Sequence, residues 1–261
     1  MNVQLGLGLI GIGKPWGYRP TDVPGEEEAL RFLETAWRLG VRYFDTAASY
    51  GTSEERLGRF LKGLSPAERA QLTIATKFGE HWDPAAQQPY VDHSYAALKA
   101  SLDRSLERLG AIDVLQLHKT TPEVLRSEDL ARAWEYAASF GITVTGPSVS
   151  DDESARMAVA DGYRIIQAPF NVENTRFGGV IEVAAAGGMR VAVNRPFAMG
   201  KMLYGGGPEG AFSRMVAAFR FILARRFEGV ILTGTKSAAH LAENQEAFRE
   251  ATGAVSTPGA G

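Results

Sequence analysis

Residues 72–118 read LTIATKFGEHWDPAAQQPYVDHSYAALKASLDRSLERLGAIDVLQLH. Leu72–Lys77 and Val114–His118 are short and dense in Leu, Ile and Val, as strands buried on both faces should be. Between them Leu98, Leu102, Leu106 and Leu109 recur at helical spacing. Gly110 follows, where a left-handed helix cap belongs. The stretch is a strand–helix–strand unit.

The same unit recurs along the whole chain. Further strand patterns lie at Gln4–Leu9, Val41–Asp45, Thr143–Ser148, Ile165–Ala168, Arg190–Asn194 and Gly229–Thr233. Leu57, Phe60, Leu61 and Leu64 mark another helix face, and Phe212, Met215, Val216, Phe219, Ile222 and Leu223 a third. Gly40 and Gly141 sit where helix C-caps belong, and Ser53, Asp151 and Ser237 where N-caps belong. Eight strand patterns alternate with eight helix patterns, with no linker composition between them. Eight such units in about 250 residues is the arithmetic of a closed (β/α)8 TIM barrel, and an open doubly wound sheet is the structural alternative. The expectation is an α/β protein with one barrel domain over residues 1–252 and a disordered tail over 253–261. In such a barrel the chemistry sits at the carboxyl ends of the strands.

Composition narrows the function classes. The 261 residues carry no cysteine, which removes disulfides, thiolate metal sites and a cysteine nucleophile. A formal charge of −2 argues against a nucleic-acid or anionic-membrane surface. Val3–Ile12 is apolar but short and glycine-rich, and reads as a strand rather than a signal or membrane helix. The expectation is a soluble, cytoplasmic protein acting on a small molecule. No long exposed apolar run marks an interface, so a monomer is the default.

Three consecutive strands each deliver an ionisable side chain to the same rim: Asp45, Lys77 and His118. Tyr50 lies on the loop five residues beyond Asp45. A free tyrosine has a pKa of about 10, too high for an effective acid near neutrality. A lysine ammonium beside it lowers that value, and a carboxylate keeps the lysine charged in a partly buried place. A neutral His118 is then expected to donate a hydrogen bond to a substrate oxygen. Such a cluster is a tuned acid aimed at a carbonyl oxygen.

At these residues the chain resembles the aldo-keto reductases, as a short, bacterial-type member of a family of nicotinamide-dependent barrels. The motif is Phe44-Asp45-Thr46-Ala47, Tyr50-Gly51 and Ser53-Glu54-Glu55-Arg56-Leu57-Gly58, and the likeness runs from about Val3 to Phe248. The resemblance implies that Tyr50 is the general acid in reduction, that Lys77 and Asp45 tune it, and that His118 orients the carbonyl. It implies Ser148 and Gln167 as holders of the nicotinamide carboxamide, with Ile10 as a further cofactor contact. Asn194, Arg195, Phe197, Gly200 and Lys201 match the segment that wraps the pyrophosphate. Gly234, Thr235, Lys236, His240 and Asn244 match the adenosine-phosphate region. The loops after the last two strands are also the usual phosphate cradle of this barrel.

Some positions depart from the family. Asn194 stands where many members have a tyrosine that stacks on the nicotinamide, which leaves stacking to Phe197 or to nothing. Val149 replaces a common asparagine, and His240 replaces an arginine that grips the 2′-phosphate. Lys236 supplies charge there only as a point charge, so the expected cofactor is NADPH, with NADH possible. The chain begins at strand one, without the family's N-terminal floor hairpin, and its C-terminal tail is short, so an open pocket is expected. Trp16, Tyr18, His81 and Trp82 are the candidate pocket lining, with Met199 beside them.

Other reaction classes fit less well. His81, His93, His118 and His240 show no metal-binding spacing, so no metal is expected. Strands four to eight end without the second carboxylate that a glycosidase needs. The reading is an NADP(H)-dependent oxidoreductase that converts an aldehyde or ketone to an alcohol. A nicotinamide-binding sensor or interaction subunit with little turnover is the alternative.

Overall fold

A computed structural model describes residues 2–19, 22–204 and 210–253. The strands are β1 (Val3–Gly8), β2 (Tyr43–Asp45), β3 (Thr73–Phe78), β4 (Val114–Leu117), β5 (Val144–Pro147), β6 (Ile165–Pro169), β7 (Arg190–Asn194) and β8 (Gly229–Gly234). All pair in parallel, in the order β5-β4-β3-β2-β1-β8-β7-β6. The two ends of that order meet through a Ser148–Gln167 bridge and the bonds Arg164 N to Thr145 O and Val149 N to Gln167 O, at 3.1 and 2.8 Å. The sheet is therefore a barrel. Gly146 makes this seam possible, because a Cβ there would stand 1.7 Å from the Ile165 carbonyl oxygen.

Helices of nine residues or more fill the crossovers: α1 (Glu26–Arg38), α2 (Ser53–Lys62), α3 (Tyr95–Leu109), α4 (Glu128–Ala138), α5 (Asp152–Ala160), α6 (Gly178–Ala186), α7 (Ala211–Leu223) and α8 (Ala238–Thr252). Their apolar stripes pack on the barrel wall in two groups. One gathers Leu33, Phe44, Leu57, Leu98, Leu102 and Leu130 around β1 to β4. The other gathers Phe170, Phe177, Ile181, Phe219, Ile222 and Phe227 around β6 to β8. A smaller set, including Tyr43, Ala75, Val114, Ile165, Ala192 and Val230, forms a third packed cluster of strand residues. No described helix is long and apolar enough to cross a membrane.

The expected strands are all present, with ends shifted by a residue or two. Strand β2 starts at Tyr43 because the Val41 amide instead bonds Ala36 O and closes α1. Ser53 is not a helix cap. Thr52 holds that position, while the Ser53 hydroxyl is taken by Leu9 O and Thr46 Oγ1 at 3.1 and 2.8 Å. Asp151 and Ser237 do cap α5 and α8, through Ser154 N and His240 N. An unforeseen antiparallel hairpin, Glu80–Asp83 with Gln88–Val91, follows β3. Gly253, expected in the tail, instead ends α8 in a left-handed conformation, and 254–261 lie outside the described residues.

Candidate active site

Asp45, Lys77 and His118 lie at the carboxyl ends of β2, β3 and β4, on one rim. After β2 the chain keeps its register on β3, with Thr46 N bonded to Ala75 O and Ala48 N to Lys77 O. That hold carries Tyr50 over the mouth. The Lys77 ammonium lies 2.6 Å from Asp45 Oδ1 and 2.9 Å from the Thr46 carbonyl oxygen, and 5.2 Å from the Tyr50 ring centre. The His118 ring stands edge-on to Tyr50 at 6.0 Å. Across the barrel, the Gln167 amide donates to Asp45 Oδ2 at 3.2 Å and the Ser148 hydroxyl donates to Gln167 Oε1 at 3.0 Å. A hydrogen-bonded chain from Lys77 to Ser148 thus spans the mouth.

The remaining motif residues hold this geometry in place. Glu54 is buried and collects the Thr76 hydroxyl at 2.6 Å, the Ser105 hydroxyl at 2.7 Å and the Arg108 guanidinium at 3.1 Å. It locks the start of α2 to β3 and α3. Ser53, through Leu9 and Thr46, fixes the same loop to β1 and β2.

Burial sets the proton affinities here. It pushes the Asp45 carboxyl up, against the pull of Lys77 and Gln167. For Lys77 burial disfavours the charged form, yet Asp45 and Tyr50 together leave its pKa raised. Burial also raises Tyr50, with Asp45 and Glu80 acting in the same direction and the Lys77 charge opposing them. Lys77 therefore limits the rise rather than producing the lowered value expected from sequence. Burial, then Lys77, Lys119, Lys14 and His93, hold His118 well below its ordinary range, so it is neutral.

Around this cluster the expected cofactor residues fall into two sets. Ser148 and Gln167 meet at the β5 and β6 ends, Asn194 ends the neighbouring β7 opposite Pro169, and the buried Asn194 Oδ1 has no partner among the described residues. That orphaned acceptor, on the strand next to the one that carries Gln167, fits the N–H of a primary amide, such as a nicotinamide carboxamide. After β7 the backbone takes positive φ at Arg195, Ala198 and Met199, at 56°, 48° and 60°, a concentration of strain typical of a ligand clamp. Gly200 follows at 98°, and Lys201 pairs with Glu173 at 3.1 Å. Phe197 departs from its expected role as a stacking ring: it is buried, edge-to-face with Phe219 at 5.1 Å, and belongs to the outer core.

The second set surrounds the N-terminus of α8. Lys236 and Ser237 line a pocket of about 650 Å³ together with Asp22 and Glu28. The Lys236 ammonium bonds the Asp22 carbonyl. Thr235 caps the Ser237 amide at 3.0 Å, Gly234 ends β8, His240 is exposed on α8 and Asn244 is buried. Ile10 opens a short turn after β1 and is half-buried.

The expected pocket residues separate. Trp16 and Tyr18 are exposed, and their loop is tied to the one after β7 by Tyr18 N to Met199 O at 3.0 Å and by Arg195 lying 5.8 Å from the Trp16 ring. Trp82 faces the Lys14 ammonium at 5.4 Å, which also lies 5.7 Å from the Tyr50 ring. His81 is buried in the hairpin, bonded to Asp92 O at 2.9 Å and stacked on Tyr90. With Ala48, Gly51, Arg104 and Trp82 it lines a cavity of about 310 Å³.

Two buried groups had no place in the sequence reading. Gln116 pairs in register with Lys77, and neither amide atom has a partner among the described residues. Glu80 lies 3.0 Å from His118 Nδ1. An acidic residue three positions after a strand-end lysine, inside an aromatic run, was the available signal for it.

Comparison with known proteins agrees with this architecture. A sequence model of the Aldo/keto reductase family matches residues 4–215. D-threo-aldose 1-dehydrogenase of a Pseudomonas species is 25% identical, over 85% of this chain and 83% of its own length. An uncharacterized oxidoreductase of Bacillus subtilis is 34% identical, but only over 46% of this chain and 36% of its own length. An aldo-keto reductase structure from Pseudomonas aeruginosa superposes with a TM-score of 0.79 at 26% identity, covering 95% of this chain and 90% of that one.

Proposed function

Because the chain belongs to the aldo/keto reductase family, whose members are NAD(P)H-dependent oxidoreductases, we propose that it reduces an aldehyde or ketone to the alcohol, with Tyr50 as proton donor. The observation that carries this reading is the convergence of Lys77 on Asp45 at 2.6 Å beneath the Tyr50 ring, with His118 edge-on to the same ring. Tyr50 is half-buried and its pKa is raised by desolvation, so its proton is held until a carbonyl oxygen arrives. The Lys77 charge then stabilises the phenolate left behind, and Asp45 keeps Lys77 charged. His118, edge-on to the Tyr50 ring, would orient the substrate carbonyl.

Ser148, Gln167 and Asn194 would hold the nicotinamide amide, the segment Arg195–Lys201 its pyrophosphate, and Lys236 with the start of α8 the adenosine end. Bound there, the nicotinamide supplies the hydride. Positioned acid catalysis contributes about 10²–10⁴-fold. Lys236 favours a 2′-phosphate, and Asp22 and Glu28 on the same pocket limit that advantage. NADPH is therefore the proposed preference over NADH, and a narrow one.

The test is the loss of reduced-cofactor absorbance with NADPH and NADH in parallel, against aliphatic and aromatic aldehydes. Consumption with either cofactor supports the reductase, and a drop in the NADPH:NADH ratio for Lys236→Gln supports the adenosine-end assignment. Cofactor binding by tryptophan quenching, without consumption of any aldehyde, would move the reading to a sensor.

A further inference from the structure

Lys14 is a half-buried lysine beside Tyr50 that the proton path just described does not use. It follows the short turn Ile10–Gly13 after β1. That turn lies directly against the Tyr50 loop. A Cβ on Gly13 would stand 1.8 Å from the Tyr50 carbonyl oxygen, and one on Gly51 would stand 2.2 Å from the Gly13 carbonyl oxygen. Two glycines therefore allow a backbone contact that side chains would prevent. Thr52 N bonds Gly13 O at 3.4 Å, and the Arg56 guanidinium bonds Ile12 O. The loop that carries Lys14 is thus fixed to the loop that carries Tyr50.

The neighbouring lysines have carboxylates of their own. Lys77 lies 2.6 Å from Asp45, and Lys119 lies 3.2 Å from Glu80. Glu80 also accepts from the Ser49 hydroxyl at 2.7 Å and lies 3.0 Å from His118 Nδ1. Lys14 has no hydrogen-bond or carboxylate partner for its ammonium among the described residues. That ammonium lies 5.7 Å from the Tyr50 ring centre and 5.4 Å from the Trp82 ring centre. Ring faces attract a cation at this range but offer no oxygen, so its three N–H donors find no protein acceptor. Burial lowers the Lys14 pKa, Glu80 opposes the fall without touching the ammonium, and Lys119 adds to it. Lys14 is a partly desolvated cation without a counter-charge of its own.

We propose that Lys14 is a specificity-determining residue, and that the carbonyl compound reduced here carries an anionic group, a carboxylate or a phosphate, which Lys14 receives. This deepens the reductase reading and rests on it. The separation of the ammonium from the Tyr50 ring calls for a short molecule. Its carbonyl oxygen meets the Tyr50 hydroxyl, its anionic group meets Lys14, and the carbons between them lie along Trp82. The hydride adds to the carbonyl carbon and Tyr50 gives its proton to the carbonyl oxygen, while the anionic group passes through the reaction unchanged. A charge-assisted bond is stronger where water is partly excluded. Lysine is a point charge and takes carboxylate and phosphate alike. A neutral aldehyde of similar size leaves Lys14 unpaired and gains nothing from it.

Two pairs of aldehydes isolate the charge: succinic semialdehyde against its methyl ester, and glyceraldehyde 3-phosphate against glyceraldehyde. Wild type should favour the anionic member of at least one pair by about tenfold or more in kcat/KM, and the pair that shows it identifies carboxylate or phosphate. Lys14→Gln should lose that preference mainly through KM, and Lys14→Arg should keep it. Equal use of both members of both pairs by wild type, or a preference unchanged in Lys14→Gln, overturns the proposal. So does a loss in Lys14→Arg as severe as in Lys14→Gln, which would assign the effect to loop packing. Binding supplies a reading that needs no turnover: calorimetric titration of succinate and of glycerol 3-phosphate into the complex with NADP⁺. Lys14→Gln should weaken the tighter of the two by about tenfold. If no aldehyde is reduced, the reductase reading falls and this titration decides Lys14. No binding, or an affinity unchanged in Lys14→Gln, then removes it as an anion receptor.

Discussion

The two sides of the barrel are held together differently. From β2 to β4 the mouth rests on buried polar chains: Lys77–Asp45, the Glu54 cluster, and Glu80 with Ser49 and His118. From β6 to β8 the packing is aromatic, with Phe170 stacked on Phe221 at 5.2 Å and Phe219 between Phe197 and Phe248. Directional bonds fix atoms to tenths of an ångström, which proton transfer requires. Apolar packing fixes volume and tolerates exchange. On the function proposed above, the first side would carry the proton chemistry and the other the cofactor, along the loop Arg195–Gly200 with its positive-φ residues.

The sharpest way to break this contrast is at Lys77. Lys77→Met leaves Asp45 buried without its cation and removes the charge that stabilises a Tyr50 phenolate. Turnover should fall by about 10²–10⁴-fold, while cofactor affinity measured by fluorescence changes little. A loss of cofactor affinity equal to the loss of turnover would mean that the two sides are not separate in function. Next comes Glu54→Ala, which strands two hydroxyls and Arg108. Chemical denaturation should show a loss of about 2–4 kcal/mol, accompanied by a fall in kcat because the Tyr50 loop loosens.

Phe197→Ala is the matching change on the aromatic side. It should cost about 3 kcal/mol of stability and leave the cofactor dissociation constant within a few-fold, because the ring packs on Phe219. A large loss of affinity with unchanged stability would return Phe197 to the cofactor. The smallest effect concerns pH. An unfolded His118 takes up a proton near its ordinary value of 6.5, whereas the folded one resists until well below it. In that window the unfolded chain binds more protons, so stability falls as pH falls. The slope should be at most about 1.4 kcal/mol per pH unit, and His118→Asn should flatten it in denaturation curves recorded from neutral pH downward.

How much of this was legible follows from the same contrast. Parallel strands buried on both faces leave dense Val, Ile and Leu runs, so every barrel strand was visible in the sequence. The hairpin was not, because Gln88–Val91 is exposed throughout and has no apolar period to betray it. Asp45, Lys77 and His118 were visible as strand-end ionisable groups. Glu80 was not, since its partner His118 is 38 residues away and only the Gly79 turn brings them together. Ser53 matched a cap by position, but its hydroxyl was already committed to Thr46 and Leu9. Phe197 follows a strand, where spacing alone does not say whether a ring turns to the mouth or to the helices.

The central claim is that the polar side of the barrel moves a proton through Tyr50 while the opposite side holds the cofactor. The most direct measurement is reduced-cofactor consumption by Tyr50→Phe beside wild type, with cofactor binding measured on the same samples. The account predicts unchanged binding and a loss of aldehyde reduction of about 10²–10⁴-fold. Wild-type-like reduction by Tyr50→Phe would contradict it.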